Sequence, residues 1–320
     1  EESMPLTSMD ELLTGAMRGG YAVCYFESWN LESLQAIIKA AEEARAPVIV
    51  GFNGGFLIHP SRAYPEDLAY YAGMGLAVRE SAISAAFLLN ETDSLSQIEQ
   101  AMELGFNAVM VESPRLEMDE YRRLVKKVVA LAHPKNVSVE AQVGHLPNGS
   151  DGLNGNGQIT DPALARAFVK ETGIDALGVS IGNVHVLTRG KASIDIGSLQ
   201  KIQAEVQIPL VIHGGTGFPP EYAGVAISLG VAKFNFGTIL KQVYLAAIRE
   251  KVSAYEEPMS PHEFLGMGGK QDILVAGREA VKLKAKELIQ TYGFAGKWNP
   301  VLSQTQATHP VGTQNQCSLA

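Results

Sequence analysis

His185 and His213 are the residues of this chain best placed to do chemistry. Each directly follows a short apolar run and sits among small residues, in Ser180-Ile181-Gly182-Asn183-Val184-His185 and Ile212-His213-Gly214-Gly215-Thr216-Gly217. Neutral imidazole is the commonest metal ligand, and two of them with a carboxylate make a usual site for a divalent cation. The plain alternative is a pair of histidines satisfied by loop hydrogen bonds. Carboxylates close other apolar runs: Glu27 after Phe26, Glu91 after Asn90, and Glu112 after Val111. Glu140 lies inside such a run, where a charge is costly unless it is paired or coordinated. It reads equally as a carboxylate orienting a metal ligand and as half of a buried ion pair. Four carboxylates beside two histidines point to a bound cation or to acid–base chemistry.

The run His213-Gly214-Gly215-Thr216-Gly217 also has the makings of an anion nest, because glycines free backbone N–H groups to converge and a helix begins near Pro219-Pro220. An ordinary glycine-rich turn is the alternative. Phe234-Asn235-Phe236-Gly237-Thr238 adds an amide and a hydroxyl next to it, and Asn53-Gly54-Gly55 forms a further polar loop. His59, His133, His145, His262 and His309 read as structural or surface groups. No serine or cysteine forms a nucleophile elbow. Lys191 and Lys233 do not stand alone in an apolar strand interior, which argues against a Schiff base.

The elements that must position these groups alternate regularly. Strands are expected near 22–26, 48–51, 84–89, 108–111, 138–142, 176–180, 210–212 and 233–235. Helices are expected at 31–43, 66–73, 95–104, 118–132, 162–172, 198–204, 220–229 and 238–251. Eight alternating pairs predict an α/β fold of the (β/α)8 TIM-barrel class, with extra C-terminal helices. A doubly wound open sheet is the alternative, weakened by the absence of a GxGxxG loop in the first unit. In a barrel, His185, His213 and the four carboxylates would all face one mouth, at the C-terminal ends of the strands. The organisation expected is an N-terminal segment 1–20, a single barrel domain with helical extension over 21–297, and a mobile tail at 298–320 rich in Ser, Thr, Gln and Asn. Residues 255–270 read as a connector and 272–292 as one more helix.

Composition narrows the function. The net charge is −8, which removes a general attraction for nucleic acid or an anionic membrane face. No apolar run reaches the roughly 20 residues of a membrane span. Two cysteines, Cys24 and Cys317, make neither a metal cluster nor a disulfide framework. The acidic start EESMPLTSMDELL lacks the order of a signal peptide, and the missing initiator Met suggests trimming. Cytoplasmic localisation is the expectation.

The stretches YAVCYFESWNLESLQAIIKAAEEARAPVIV, GFNAVMVES, NVSVEAQVG, TGIDALGVSIGNVH, PLVIHGGTG and REAVKLKAKELIQTYGFAGK resemble the class II, metal-dependent fructose- and tagatose-bisphosphate aldolases. The resemblance runs from Tyr21 to about Lys297. It implies a lyase of carbohydrate metabolism, a homodimer or homotetramer, and a divalent metal, zinc first with manganese or iron as alternatives. Three histidines hold the metal in that family. Two correspond to His185 and His213, while the third comes from an Asp-His-Gly motif that reads Asn90-Glu91-Thr92 here. The resemblance thus makes Glu91 the third ligand and puts Asn90 where the family has its proton-transferring Asp. An amide cannot exchange a proton near neutral pH. A His2Glu set suits zinc, manganese or iron, although an anionic ligand weakens the metal's pull on a carbonyl.

Other positions differ as well. Glu27 replaces an Asn near a substrate phosphate, Val186 replaces the glycine after the strand-6 histidine, and the strand-8 motif survives as Asn235, Gly237 and Thr238. Thr216 stands in the phosphate loop beside Gly214 and Gly215, with Gly182 and Asn53 on the substrate side. Arg278 corresponds to an arginine near the second phosphate, often at a subunit boundary. Glu140 matches the family's strand-5 glutamate. The expected activity is a metal-dependent aldolase that cleaves a ketose phosphate or related sugar acid through a metal-stabilised enediolate. Glu27, Glu91 and Glu112 are candidates for moving the proton. The competing readings are an isomerase or epimerase using the same chemistry, and a non-catalytic sugar-phosphate binder or partner subunit.

Overall fold

Short, β-branched and fully apolar runs separated by amphipathic stretches require a parallel sheet covered by helices. A computed structural model describes residues 6–64, 66–149, 157–256, 258–293 and 296. Its strands are β1 Val23–Glu27, β2 Val48–Asn53, β3 Ala85–Thr92, β4 Ala108–Val111, β5 Ser138–Val143, β6 Ala176–Val179, β7 Leu210–Ile212 and β8 Val231–Phe236. Its helices are α1 Met9–Gly19, α2 Leu31–Ala44, α3 Gly54–Leu57, α4 Leu68–Arg79, α5 Leu95–Glu103, α6 Met118–Ala132, α7 Pro162–Thr172, α8 Ile196–Glu205, α9 Ala223–Ser228, α10 Thr238–Val252, α11 Pro261–Phe264 and α12 Ile273–Thr291. The strands pair in parallel, in chain order, and β8 closes on β1 with Val23 opposite Lys233 and Tyr25 opposite Asn235. The sheet is the closed eight-stranded barrel, not the open alternative.

Two apolar layers hold it together. Inward side chains such as Tyr25, Ile49, Leu88, Met110 and Val211 fill the barrel, and Met9, Leu12 and Leu13 of α1 join the same cluster. Ser8 caps α1 by accepting from the Glu11 N–H, and Gly20 ends it in the left-handed conformation that returns the chain to β1. The second layer lies between the strands and the outer helices. Burying each large aliphatic side chain there contributes about 1.5–3 kcal/mol. Asn30, Ser94, Asp161, Asp195 and Asp272 each accept a backbone N–H at a helix start, so loop residues set where the helices begin. Among the described residues, no helix is long and apolar enough to cross a membrane.

The structure differs from the expected boundaries in places that matter. β3 runs on to Thr92, so Asn90 and Glu91 are strand residues and not loop residues. The register of β3 against β4 shifts between Leu89 and Thr92, a bulge that re-aims the side chains there. α4 does not stop at Gly73 but continues to Arg79, and Gly75 lets it approach the Phe87 ring closely. The stretch 220–229 is a 3-10 turn followed by the short α9. The N-terminal segment contains α1, and the connector 255–270 contains α11. The expected tail at 298–320, with His309 and Cys317, lies outside the described residues.

Candidate active site at the barrel mouth

His213 is the first residue after β7 and is fully buried. Its carbonyl accepts from the Asn183 amide at 2.8 Å, which ties the end of β7 to the loop after β6. Its ring is gripped from both sides. Nε2 lies 2.8 Å from Glu140 Oε1, and Nδ1 lies 3.3 Å from Glu91 Oε1. The other Glu140 oxygen accepts from Lys233 Nζ at 2.6 Å. Glu140 therefore fills both roles that its place in an apolar strand allowed, orienting a histidine and neutralising a buried cation. A carboxylate on Nε2 leaves Nδ1 as the nitrogen turned to the mouth.

Glu91 is held as firmly. Asn53 Nδ2 donates to its Oε2 at 2.6 Å, and Asn90 Nδ2 donates to its Oε1 at 2.8 Å. Its backbone is left-handed, with φ of 56°, and Val186 after His185 has φ of 49°. Such conformations cost about 1–3 kcal/mol and are rare for a β-branched residue; Arg45 and Asn136 share them as helix C-caps, whereas Glu91 and Val186 lie at the mouth, where such strain is a pointer to a candidate site.

The electrostatics follow from these contacts. Burial alone would raise the Glu91 carboxyl, but the His213 hydrogen bond and the charges of His185 and His213 outweigh it and bring the pKa to about 2. Burial alone would lower His213, but Glu140 and Glu91 hold it up at about 9. His185 is raised too: burial opposes this, and Glu112 and Glu91 prevail.

His185 lies beside the second carboxylate of the mouth. Its Nε2 is 3.6 Å from Glu112 Oε1, and its ring centroid is 5.7 Å from that of His213. Gln142 Nε2 donates weakly to Glu112 at 3.4 Å. Buried acceptor atoms of Asn90, Gln142 and Asn235 have no partner here. Orphaned acceptors beside imidazoles and carboxylates are what a cation would satisfy. Among the described residues, no three His, Cys, Asp or Glu groups already stand together as a metal-holding set. By donor chemistry, His185, His213 and Glu91 nevertheless fit a divalent metal, because Glu91 is anionic and the proton that His213 Nδ1 holds toward it in the absence of metal would leave on coordination.

The glycine loop lies on the other side of His213. Gly214 has φ of 72°, and an added Cβ there would strike the Val184 backbone. The Thr216 hydroxyl accepts from the Ile239 N–H at 3.1 Å, joining the loop to the first turn of α10. Gly237 begins that helix without a cap from its own side chain, and beside the Ile239 N–H taken by Thr216 the first turn still offers N–H groups to an anion. Gly182 has φ of 98° and sits close against the Ser193 carbonyl. Glu27 rests against Gly237, and its carboxylate accepts from Lys241 Nζ at 2.5 Å. Burial raises the Glu27 carboxyl, and Lys241 partly offsets this.

The barrel thus brings together Glu27, Asn53, Asn90, Glu91, Glu112, Glu140, His185, Val186, His213 and Asn235. Arg278 is elsewhere, bonded to Gln35 on the outer flank between α2 and α12. The sequence reading also needs correction at Lys233, which does lie inside a strand and is fully buried. Its signal was available: a buried Glu140 demands a cation, and Lys233 is the cation within β8. Lys241 was missed because its partner is 214 residues away.

The family model for fructose-bisphosphate aldolase class-II matches residues 7–297. A fructose-bisphosphate aldolase of Geobacillus stearothermophilus is 34% identical over 304 residues, covering 92% of this chain and 99% of the relative. One of Staphylococcus aureus (strain Mu50) is 33% identical over 300 residues, with the same coverage. The crystal structure of the YdjI aldolase from Escherichia coli K12 superposes with a TM-score of 0.75 at 29% identity, over 92% of this chain and 100% of that one.

Proposed function

The chain belongs to the class II fructose-bisphosphate aldolase family, and from that premise we propose that it is a metal-dependent aldehyde-lyase acting on a phosphorylated sugar other than a bisphosphate. One observation carries the reading. His213 is fixed by Glu140 on one nitrogen and faces Glu91 with the other, beside His185. These three residues would hold the divalent ion, generally zinc in this family. When bound, it supplies the Lewis acidity that polarises a ketose carbonyl.

The rest is the work of the chain. Gly214, Gly215 and Thr216, with the open start of α10 at Gly237 and Thr238, bind the phosphate on the ketose end. Glu91 holds its charge to about pH 2, so it serves as a ligand and not as a proton carrier. Asn90 positions Glu91 and cannot carry a proton at all. Glu112, 3.6 Å from His185 and only weakly bonded by Gln142, is the carboxylate left to act. It takes the proton of the hydroxyl that becomes the aldehyde. The carbon–carbon bond breaks, its electron pair stays on the ketose fragment, and that fragment takes up one proton as Glu112 gives up the one it received, which restores the starting state. Glu27 lies against Gly237 at the edge of that same phosphate site with its carboxylate paired to Lys241, a charge arrangement that supports an altered substrate.

The test is elemental analysis on protein purified without chelator, with an assay for aldehyde release from ketose phosphates. About one zinc or similar ion per chain is expected in the parent, and less than a fifth of that in Glu91→Ala and His213→Ala. A metal-free parent that stays inactive when metal is added sinks the reading. A single isomerised product in place of two fragments would convert it to an isomerase. Light scattering checks the proposed homodimer or homotetramer.

A further inference from the structure

A cavity of about 430 Å³ opens between the tops of β4 and β5 and the helices that follow them. Glu112 and Gln142 line it, and Glu112 also approaches His185 at 3.6 Å. The cavity therefore begins where the proposed reacting atoms end.

Its walls have a definite chemistry. Tyr121 has spent its hydroxyl, donating to the Val111 carbonyl at 2.7 Å and accepting from the Gln142 N–H at 3.1 Å. Gln142 is only 7% exposed, and its Oε1 has no partner. Asp161 adds a second carboxylate, already accepting from the Leu164 N–H at 2.7 Å. Leu116, Met118 and Leu164 form an apolar side. Among the described residues that line the cavity there is no Lys or Arg, and His145 stands exposed at the rim. The wall is thus rich in acceptors, with charge that repels anions. It attracts O–H donors, and its apolar side fits the C–H face of a carbon chain.

We propose that this cavity is the subsite for the aldehyde half of the substrate and takes an uncharged polyhydroxy chain, not a phosphorylated or carboxylated one. The inference rests on the aldolase reading and narrows it. The hydroxyl that gives its proton to Glu112 lies at the cavity's inner edge, and the carbons beyond it extend along Gln142 toward Leu164. The phosphate of the ketose half stays across the mouth at the glycine loop.

Two measurements on the full-length protein test this separately. In the synthetic direction, dihydroxyacetone phosphate is offered with erythrose, erythrose 4-phosphate or glycolaldehyde. The parent is expected to favour erythrose over erythrose 4-phosphate by at least roughly tenfold in kcat/KM. Leu164→Trp, which fills the cavity, should lower the erythrose-to-glycolaldehyde ratio by a similar factor. Leu116→Arg, at a partly exposed position that tolerates the change, should shift the preference toward erythrose 4-phosphate. The second measurement is saturation-transfer NMR with erythritol, which needs no turnover. Signal in the parent and its loss in Leu164→Trp are expected. Preference for the phosphorylated aldehyde, or erythritol signal unchanged in Leu164→Trp, overturns the subsite. Failure of every condensation with erythritol still bound in the cavity overturns the aldolase reading and keeps the polyol site. Failure of both overturns both.

Discussion

Lys233 and Glu140 meet at 2.6 Å with both side chains fully buried, beneath the imidazole of His213. Burial lowers the Lys233 ammonium from its ordinary range, and Glu140 opposes the shift. For Glu140, burial pushes upward, but Lys233 and His213 prevail and hold it below the usual carboxylate range. The pair stays ionised because each charge supplies the other's missing solvent.

Removing one partner therefore costs more than removing both. Lys233→Met is expected to destabilise the protein by about 3–5 kcal/mol, since it strands a buried carboxylate. Lys233→Met combined with Glu140→Gln should recover a substantial part of that loss. Denaturant midpoints of the parent, the single and the double variant check this, and additive losses would contradict it.

Glu27 and Lys241 govern a different property. Glu27→Asn releases Lys241 as an unpaired cation beside Gly237 and the start of α10. The expected outcome is about tenfold tighter inhibition by inorganic phosphate, because the cation borders the phosphate site at Gly237 and Thr238. An unchanged inhibition constant would show that this pair does not set the charge at the phosphate site.

Asp272 makes the stability pH-dependent. It starts α12 and accepts from the Gly266 and Gly268 N–H groups at 2.8 Å each and from Leu274 at 2.9 Å. Burial opposes ionisation, but these N–H donors outweigh it and lower the carboxyl from its usual 3.8. A carboxyl lowered on folding stabilises above its unfolded pKa, and the effect fades as pH falls through the folded value. Asp272→Ala should thus cost about 1–2 kcal/mol at neutral pH, an effect that starts to shrink only as pH falls below about 4 and is lost once pH passes the lower folded value. Melting temperatures of both proteins across pH provide the check.

Gly214→Ala tests the glycine loop. The residue would have to keep φ of 72° and push its Cβ into the Val184 backbone. A loss of about 1–3 kcal/mol is expected, with weakened inhibition by inorganic phosphate as the loop shifts. Unchanged phosphate inhibition in a folded variant would remove the loop from the anion site.

The alternation of strands and helices, and with it the barrel, was legible along the chain because side-chain period is a local property. The candidate ligands His185 and His213 were legible for the same reason: in a barrel, a strand's end is a mouth position wherever the strand lies. The resemblance to class II aldolases added Glu91, and the family comparison agrees with that resemblance.

Tertiary structure alone decided how these groups are joined. Glu140 and Lys233 are 93 residues apart, and Asn53 reaches Glu91 across 38. No local pattern encodes such pairings, because closure of the sheet sets which inward side chains face one another. The bulge in β3 turns Glu91 toward His213, and the α10 helix carries Lys241 back to Glu27. A sequence names the charges, but whether a buried charge is a ligand, a counter-ion or both depends on the low-dielectric neighbours that only the closed barrel supplies.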